Sequence, residues 1–370
     1  MSFWTTHPKA RWIAPVAMVA AVAVTPYARS ASADSGLAPR SAAQLLADVQ
    51  QADVATMSGT IVESADLGLP SIPGIGASNG SAEMSSLVSG SHTLRIWADG
   101  PDKQRLAVVG TTGESDIIRN GTTLWTWSSA TKTATRRTLP ADGVNQPPAS
   151  ALPSTPQDAA AQALKAIDPS TTVTTSGTAR VAGRTAYELV LTPKTKNTRV
   201  AQVRIAMDGV KHVPLRVQVY STRLSKPAFE VGFAAIDFGR PDARQFAFTP
   251  APGTTVTNGD EPKVPTATGT APSTATAMAK PTIVGTGWAT VVVAKLPADA
   301  LSSLSGGATS GGQSTAQLDK MLRLLPKVSG TWGSGRLLSG TLFSVVLGDD
   351  GRIAIGAVAP DQLYAALGAT

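Results

Sequence analysis

One serine stands in the pattern of a nucleophile: Gly76-Ala77-Ser78-Asn79-Gly80 is a literal G-x-S-x-G. Such an elbow needs a strand before it and a helix after it, because the sharp turn between them exposes the hydroxyl. Ser78 lies instead within a Gly/Ser-rich stretch and reads as loop composition. The bases that could serve it are His92 and His212, the histidines left once His7 is set aside with the first 33 residues. His92 falls on an alternating run and His212 beside a turn before Pro214, so both read as ordinary core or surface residues. The acids do not gather. Asp349-Asp350-Gly351 is a turn without the spaced oxygen ligands of a calcium loop, and Asp99 and Asp102 flank another turn. Residues 306–312 lack the Lys-Ser/Thr pair and the preceding strand of a phosphate loop. Cysteine is absent, which excludes disulfides, thiol nucleophiles, Cys-based zinc and iron–sulfur sites, and lipidation of the chain itself. No catalytic residue, metal or cofactor is expected.

The chemistry left is that of apolar surface. Trp125 and Trp127 lie two apart on one strand and so face the same side. They read as core packing or as the lining of a ligand cavity. Leu67, Leu69, Ile72 and Ile75 fall in LGLPSIPGI, which has no periodicity; they make either a loose surface loop or an apolar lid. The basic groups Arg136-Arg137 and Lys194, Lys196, Arg199 read as solvated surface, with contact to an anionic head group as the alternative.

The elements that must position these residues are mostly strands. Ser41–Val54 has apolar residues at helical spacing, with Ser41 as N-cap. Met57–Ser64 reads as a strand. In the next strand His92, Leu94, Ile96 and Ala98 alternate with Thr93, Arg95 and Trp97. Asp116–Arg119 and Thr122–Trp127 read as a hairpin about Asn120-Gly121, and Lys132–Leu139 as a further strand. Pro156–Ile167 is a short Ala-rich helix. Strands resume at Thr172–Val181, Thr185–Thr192, Arg199–Met207, Pro214–Tyr220 and Phe229–Phe238. Val203 and Ile205, Val217 and Val219, and Val231 and Phe233 each share a face, while Arg204, Arg216 and Gln218 mark a wet one. Residues 258–281 form a Pro/Thr-rich linker too poor in apolar residues to pack. Beyond it lie a strand at Trp288–Val293, an amphipathic helix at Gln317–Leu325, a hairpin of Arg336–Leu347 and Arg352–Val358, and a terminal helix at Pro360–Leu367. The fold class is α+β, mainly antiparallel β, with two helices to cover the apolar face.

Lys9 and Arg11, the apolar run Ile13–Val24 and Ala31-Ser32-Ala33 follow the order of a secretory signal peptide spanning residues 1–33, with an uncleaved anchor as the alternative. The rest of the protein is expected outside the plasma membrane. The chain has 32 Lys and Arg against 25 Asp and Glu. Removal of Lys9, Arg11 and Arg29 leaves 29 against 25, or +4. That mild excess suits a membrane surface and argues against nucleic acid.

The order of elements, Ala182-Gly183-Arg184-Thr185-Ala186-Tyr187-Glu188-Leu189 and the closing Phe246-Ala247-Phe248-Thr249-Pro250-Ala251-Pro252-Gly253 resemble the LolA/LolB lipoprotein-carrier superfamily and the related RseB/MucB N-terminal domain. The part from Ile283 onward is similar to the tail of actinobacterial members. The resemblance implies an open half-barrel at residues 37–257 holding acyl chains in an apolar cavity, and a small α+β module at 282–370. The lining candidates are Leu94, Ile96, Trp125, Trp127, Val203, Ile205, Val217, Val219, Val231 and Phe233. The implied role is a non-enzymatic carrier of lipid or acylated protein, with an ABC transporter as a further partner. The alternative is an envelope-stress sensor that binds an anti-sigma factor.

Overall fold

Alternating apolar and polar residues commit most of the chain to strands buried on one side. The computed structural model describes residues 36–52, 54–68, 90–110, 113–139, 155–165, 167–259, 281–295 and 324–370. Helix α1 spans Ala42–Gln51; Ser41 caps it and Gln44 closes a capping box. It stops short of Val54, because Ala52 is already extended. Six strands follow: β1 Thr56–Ala65, β2 Gly90–Asp99, β3 Lys103–Val109, β4 Glu114–Asn120, β5 Thr123–Ser128 and β6 Thr133–Thr138. Helix α2, Pro156–Lys165, ends before the expected Ile167. Then come β7 Thr171–Val181, β8 Arg184–Pro193, β9 Val200–Asp208, β10 Pro214–Ser221, β11 Pro227–Asp237 and β12 Thr255–Asn258.

These form one sheet in the order β12-β6-β5-β4-β3-β2-β1-β11-β10-β9-β8-β7. It is open, ending on β12 and β7, and antiparallel except where β12 lies parallel to β6. The expected run of consecutive neighbours is broken twice, where β1 pairs with β11 and where β12 pairs with β6. α1 packs against β7 and β8, and α2 against β10 and β11. On β7 the register shifts between Thr175 and Thr178.

The β4–β5 hairpin differs from expectation by one residue. Asn120 pairs with Thr123, so the loop is Gly121-Thr122. Gly121 carries φ +61° while Thr122 does not enter the left-handed region. A positive φ at the first central residue alone fits a II′ turn, where glycine is favoured. The pairing moves with it, and Trp125 faces Ile118.

A second sheet is built from β13 Thr282–Val284, β14 Val291–Lys295, β15 Lys327–Gly330, β16 Gly333–Ser339, β17 Ser344–Gly348 and β18 Arg352–Gly356, in the order β13-β14-β18-β17-β16-β15. Helix α3, Pro360–Gly368, buries Leu363, Ala366 and Leu367 against Val291, Val293, Val346 and Ala354. Two expectations are corrected here. Trp288 is not in a strand: it sits in a 3₁₀ turn, Gly287–Ala289, and its indole N–H donates to Thr171 Oγ1 at 2.7 Å. Arg336–Leu347 is not one strand: the chain turns back between Ser339 and Ser344, where Gly340 N–H meets the Phe343 carbonyl at 2.9 Å. Of the expected helix Gln317–Leu325, only its last two residues are among those described.

Candidate functional site

Directly paired residues of an antiparallel sheet share a face, so the register decides which lining candidates can meet. Val203 and Ile205 of β9 pair with Val219 and Val217 of β10. Val217 pairs with Val231 of β11. Val231 and Phe233 pair with Glu63 and Ile61 of β1. Ile61 and Gly59 pair with Leu94 and Ile96 of β2. Eight of the candidates therefore stand on one continuous face across β2, β1, β11, β10 and β9. Leu94, Val203, Ile205, Val217, Val231 and Phe233 are fully buried, and Ile96 and Val219 half-buried. Gly59 makes room on this face: a Cβ there would lie 2.8 Å from the Phe233 ring.

The opposite face of β8–β11 is charged. Arg204 and Arg216 approach Glu188 at 3.3 and 4.0 Å, Ser176 bonds Glu188, and Gln218 donates to Glu230 at 2.9 Å. This network keeps its arginines partly in water, so α2 and α1 cover the apolar side. The buried residues of α2 include Pro156, Ala159 and Ala160, small groups that make a shallow seal.

Trp125 and Trp127 lie elsewhere. Trp125 pairs with Ile118, and Ile118 with Arg105, which pairs with Trp97. Trp97 is one residue from Ile96, so the tryptophans occupy the other face from Leu94 and Ile96. Phe248 of the closing motif packs on both, with ring centroids 5.2 and 6.1 Å away, and Phe246 is buried beside β3 and β4. Arg105 lies 5.2 Å from the Trp97 ring and bonds Asp116 at 2.8 Å and Glu114 at 3.2 Å. Burial pushes the Asp116 carboxyl up, while Arg105 pulls it down. A hollow of about 330 Å³ beside Trp127 is lined by Ser115, Asp116, Ile117, Thr126, Ser128 and Thr131.

Of the candidate lid, Leu67 is buried and its carbonyl accepts from Thr341 N–H at 2.7 Å, tying the end of β1 to the second sheet. Leu69, Ile72, Ile75 and Ser78 lie outside the described residues, as does the signal segment 1–33. The same junction holds Arg199. It is buried, not a solvated surface residue, and donates to the Val358 carbonyl at 3.0 Å, the Gly340 carbonyl at 2.5 Å and Ser339 Oγ at 2.9 Å. Ser221 Oγ adds a bond to the Thr341 carbonyl at 2.7 Å. Burial lowers the Arg199 pKa, but a guanidinium stays charged.

Sequence reasoning missed Glu63. It stands on the apolar face, flanked on β1 by Ile61 and Ala65, opposite Val231 on one side and His92 on the other. It is 1% exposed. Neither carboxyl oxygen has a hydrogen-bond partner among the described residues. Burial pushes its pKa up to about 8. The available signal was an acid in phase with Ile61 and Ala65, masked because Val62 is also apolar. Among the described residues no cluster of three or more His, Asp or Glu could hold a metal ion. No described helix is long and apolar enough to cross a membrane.

No family model matches this sequence, and no curated protein matches it. Solved structures do. The Pseudomonas aeruginosa MucA/MucB complex is similar at 14% identity, covering 88% of this chain and 96% of that chain, with a TM-score of 0.42. A LolA superfamily protein from Nitrosomonas europaea is similar at 8% identity over 57% of this chain and 99% of that one, with a TM-score of 0.21. The Mycobacterium tuberculosis lipoprotein LppX is similar at 12% identity over 52% and 93%, with a TM-score of 0.27. The likeness to these structures is one of fold.

Proposed function

We propose that this chain is an extracytoplasmic binding protein that holds the acyl chains of a lipid or a lipidated protein and performs no chemistry on them. The observation that carries the reading is the single apolar face shared by β2, β1, β11, β10 and β9 on an open sheet. Acyl burial needs no polar motif: at ~0.8 kcal/mol per CH₂, a 16-carbon chain yields on the order of 12 kcal/mol gross. An alanine-rich cover such as α2 buries little apolar area, so displacing it costs far less than an acyl chain returns. In this reading α2 is the movable cover. Trp125 and Trp127 serve the packing of Phe248.

The test is native mass spectrometry of the exported protein, followed by organic extraction and lipid analysis. A co-purifying acylated species at near one per chain is the expected result. An empty protein that also fails to take up a fluorescent fatty acid overturns the reading.

The docked second sheet favours a second reading. A one-sheet carrier has no use for the buried bonds from Arg199 and Ser221, whereas a regulator that holds a protein partner does. The MucB structure solved in complex with the periplasmic part of MucA suggests an anti-sigma factor as that partner. Tight binding of such a segment, weakened by an acylated lipid, would favour the sensor. Transfer of lipid from an ABC exporter would favour the carrier.

A further inference from the structure

Acyl binding leaves one buried titratable group unused. Glu63 lies at the middle of the twelve-stranded order, on the face the acyl chain would share. The groups facing it from β11 are Phe229, Val231 and Phe233, and from β2 His92 and Leu94. Only His92 among these carries an ionisable side chain. α2, which packs on β11, buries alanines. A carboxyl whose two oxygens find no partner among the described residues weakens the fold, and a leucine of similar length would pack there without that cost. A polar group in such a place is explained when a ligand supplies the partner.

We infer that Glu63 is the polar anchor of the apolar face, donating a hydrogen bond from its neutral carboxyl to the ester or amide carbonyl that heads an acyl chain. The inference rests on the acyl-binding reading above and deepens it. At pH 7 a carboxyl with a pKa of about 8 is mostly protonated, and a protonated carboxyl has one O–H to give. It is matched by an uncharged carbonyl. A free fatty carboxylate would bring a charge into an apolar site. The ligand class is therefore a neutral acyl ester or amide, such as the diacylglyceryl group of a lipid or lipoprotein.

The experiment displaces a pyrene-labelled alkane, which has no carbonyl, from the mature full-length protein. The two competitors are a dipalmitoyl glycerol and its dihexadecyl ether analogue. The wild type should prefer the ester by about tenfold, the worth of one hydrogen bond. Glu63→Gln should keep the preference, because its amide N–H donates. Glu63→Leu should bind both at the ether level. Raising the pH from 7 to 9 should erode the preference in the wild type and not in Glu63→Gln. Equal ester and ether affinity in the wild type, or an undiminished preference in Glu63→Leu, overturns the inference and leaves acyl binding standing. Failure of the wild type to take up the pyrene alkane overturns the acyl-binding reading, and the anchor falls with it.

Discussion

Glu63→Gln should stabilise this protein at neutral pH and do nothing in acid. The unfolded carboxyl titrates near 4.5, whereas burial holds the folded one at about 8. Below pH 4.5 both states are protonated and Glu63 carries no penalty of ionisation. Between pH 4.5 and 8 the unfolded chain releases a proton that the folded chain keeps, so stability falls as pH rises, by 1.36 kcal/mol per pH unit. At pH 7 the fall covers 2.5 pH units, on the order of 3 kcal/mol, and it levels off above pH 8. Glutamine keeps the shape and cannot ionise, so it removes the slope. Urea unfolding followed by circular dichroism at about pH 4, 7 and 9 measures it. At an m-value near 3 kcal/mol/M, the variant's midpoint should lie about 1 M higher at pH 7 and match the wild type at pH 4. Parallel pH profiles for the two proteins would refute the reasoning, because they would mean that Glu63 ionises freely in the folded state.

Arg199→Ala removes three buried donors between the sheets and should cost about 3 kcal/mol; calorimetry should then resolve two unfolding transitions, and a single unshifted transition speaks against the junction. Gly59→Ala places a methyl 2.6 Å from the Ala235 carbonyl oxygen and should lower stability by roughly 1–3 kcal/mol, read as a reduced urea midpoint. Asp208 is buried and accepts from Arg184 and from the N–H groups of Val210 and Lys211. Burial pushes its carboxyl up, but these partners together pull it below the ordinary 3.8. Its contribution is present above pH 3.8 and lost as pH falls through the lowered value. Asp208→Asn should therefore cost about 1–3 kcal/mol at pH 7 and much less near pH 2; an equal loss at both would show that charge plays no part.

The facing of β10 and β11 was legible because each alternates: Leu215, Val217 and Val219 cannot be read two ways, whereas Leu189-Val190-Leu191 buries both sides of β8. Nor were β1 and β3 legible. Ile61-Val62 and Leu106-Ala107-Val108-Val109 place apolar residues on both sides, so alternation cannot say which points inward. That ambiguity hid Glu63 and hid the separation of Trp125 and Trp127 from Leu94 and Ile96. The pairing of β1 with β11 joins residues far apart in the chain and leaves no local trace. The parallel strand β12 is four residues without a buried side, and only its partner reveals it. Trp288 looked like the start of a strand because apolar residues follow it; its N–H bond to Thr171 depends on a residue more than a hundred positions earlier.

The open sheet also bears on solubility. A sheet that does not close exposes two ladders of unpaired backbone groups, each able to template another chain. Here one margin ends in the four-residue β12, too short to recruit a partner strand stably. The other margin, β7, is eleven residues long, but its ladder is interrupted between Thr175 and Thr178, where Gly177 takes φ +83°. An interrupted, sharply twisted border is a poor template. The sheet can thus stay open without offering another chain a long, regular edge, and deleting Ser176-Gly177, which would straighten β7, should raise the tendency to aggregate.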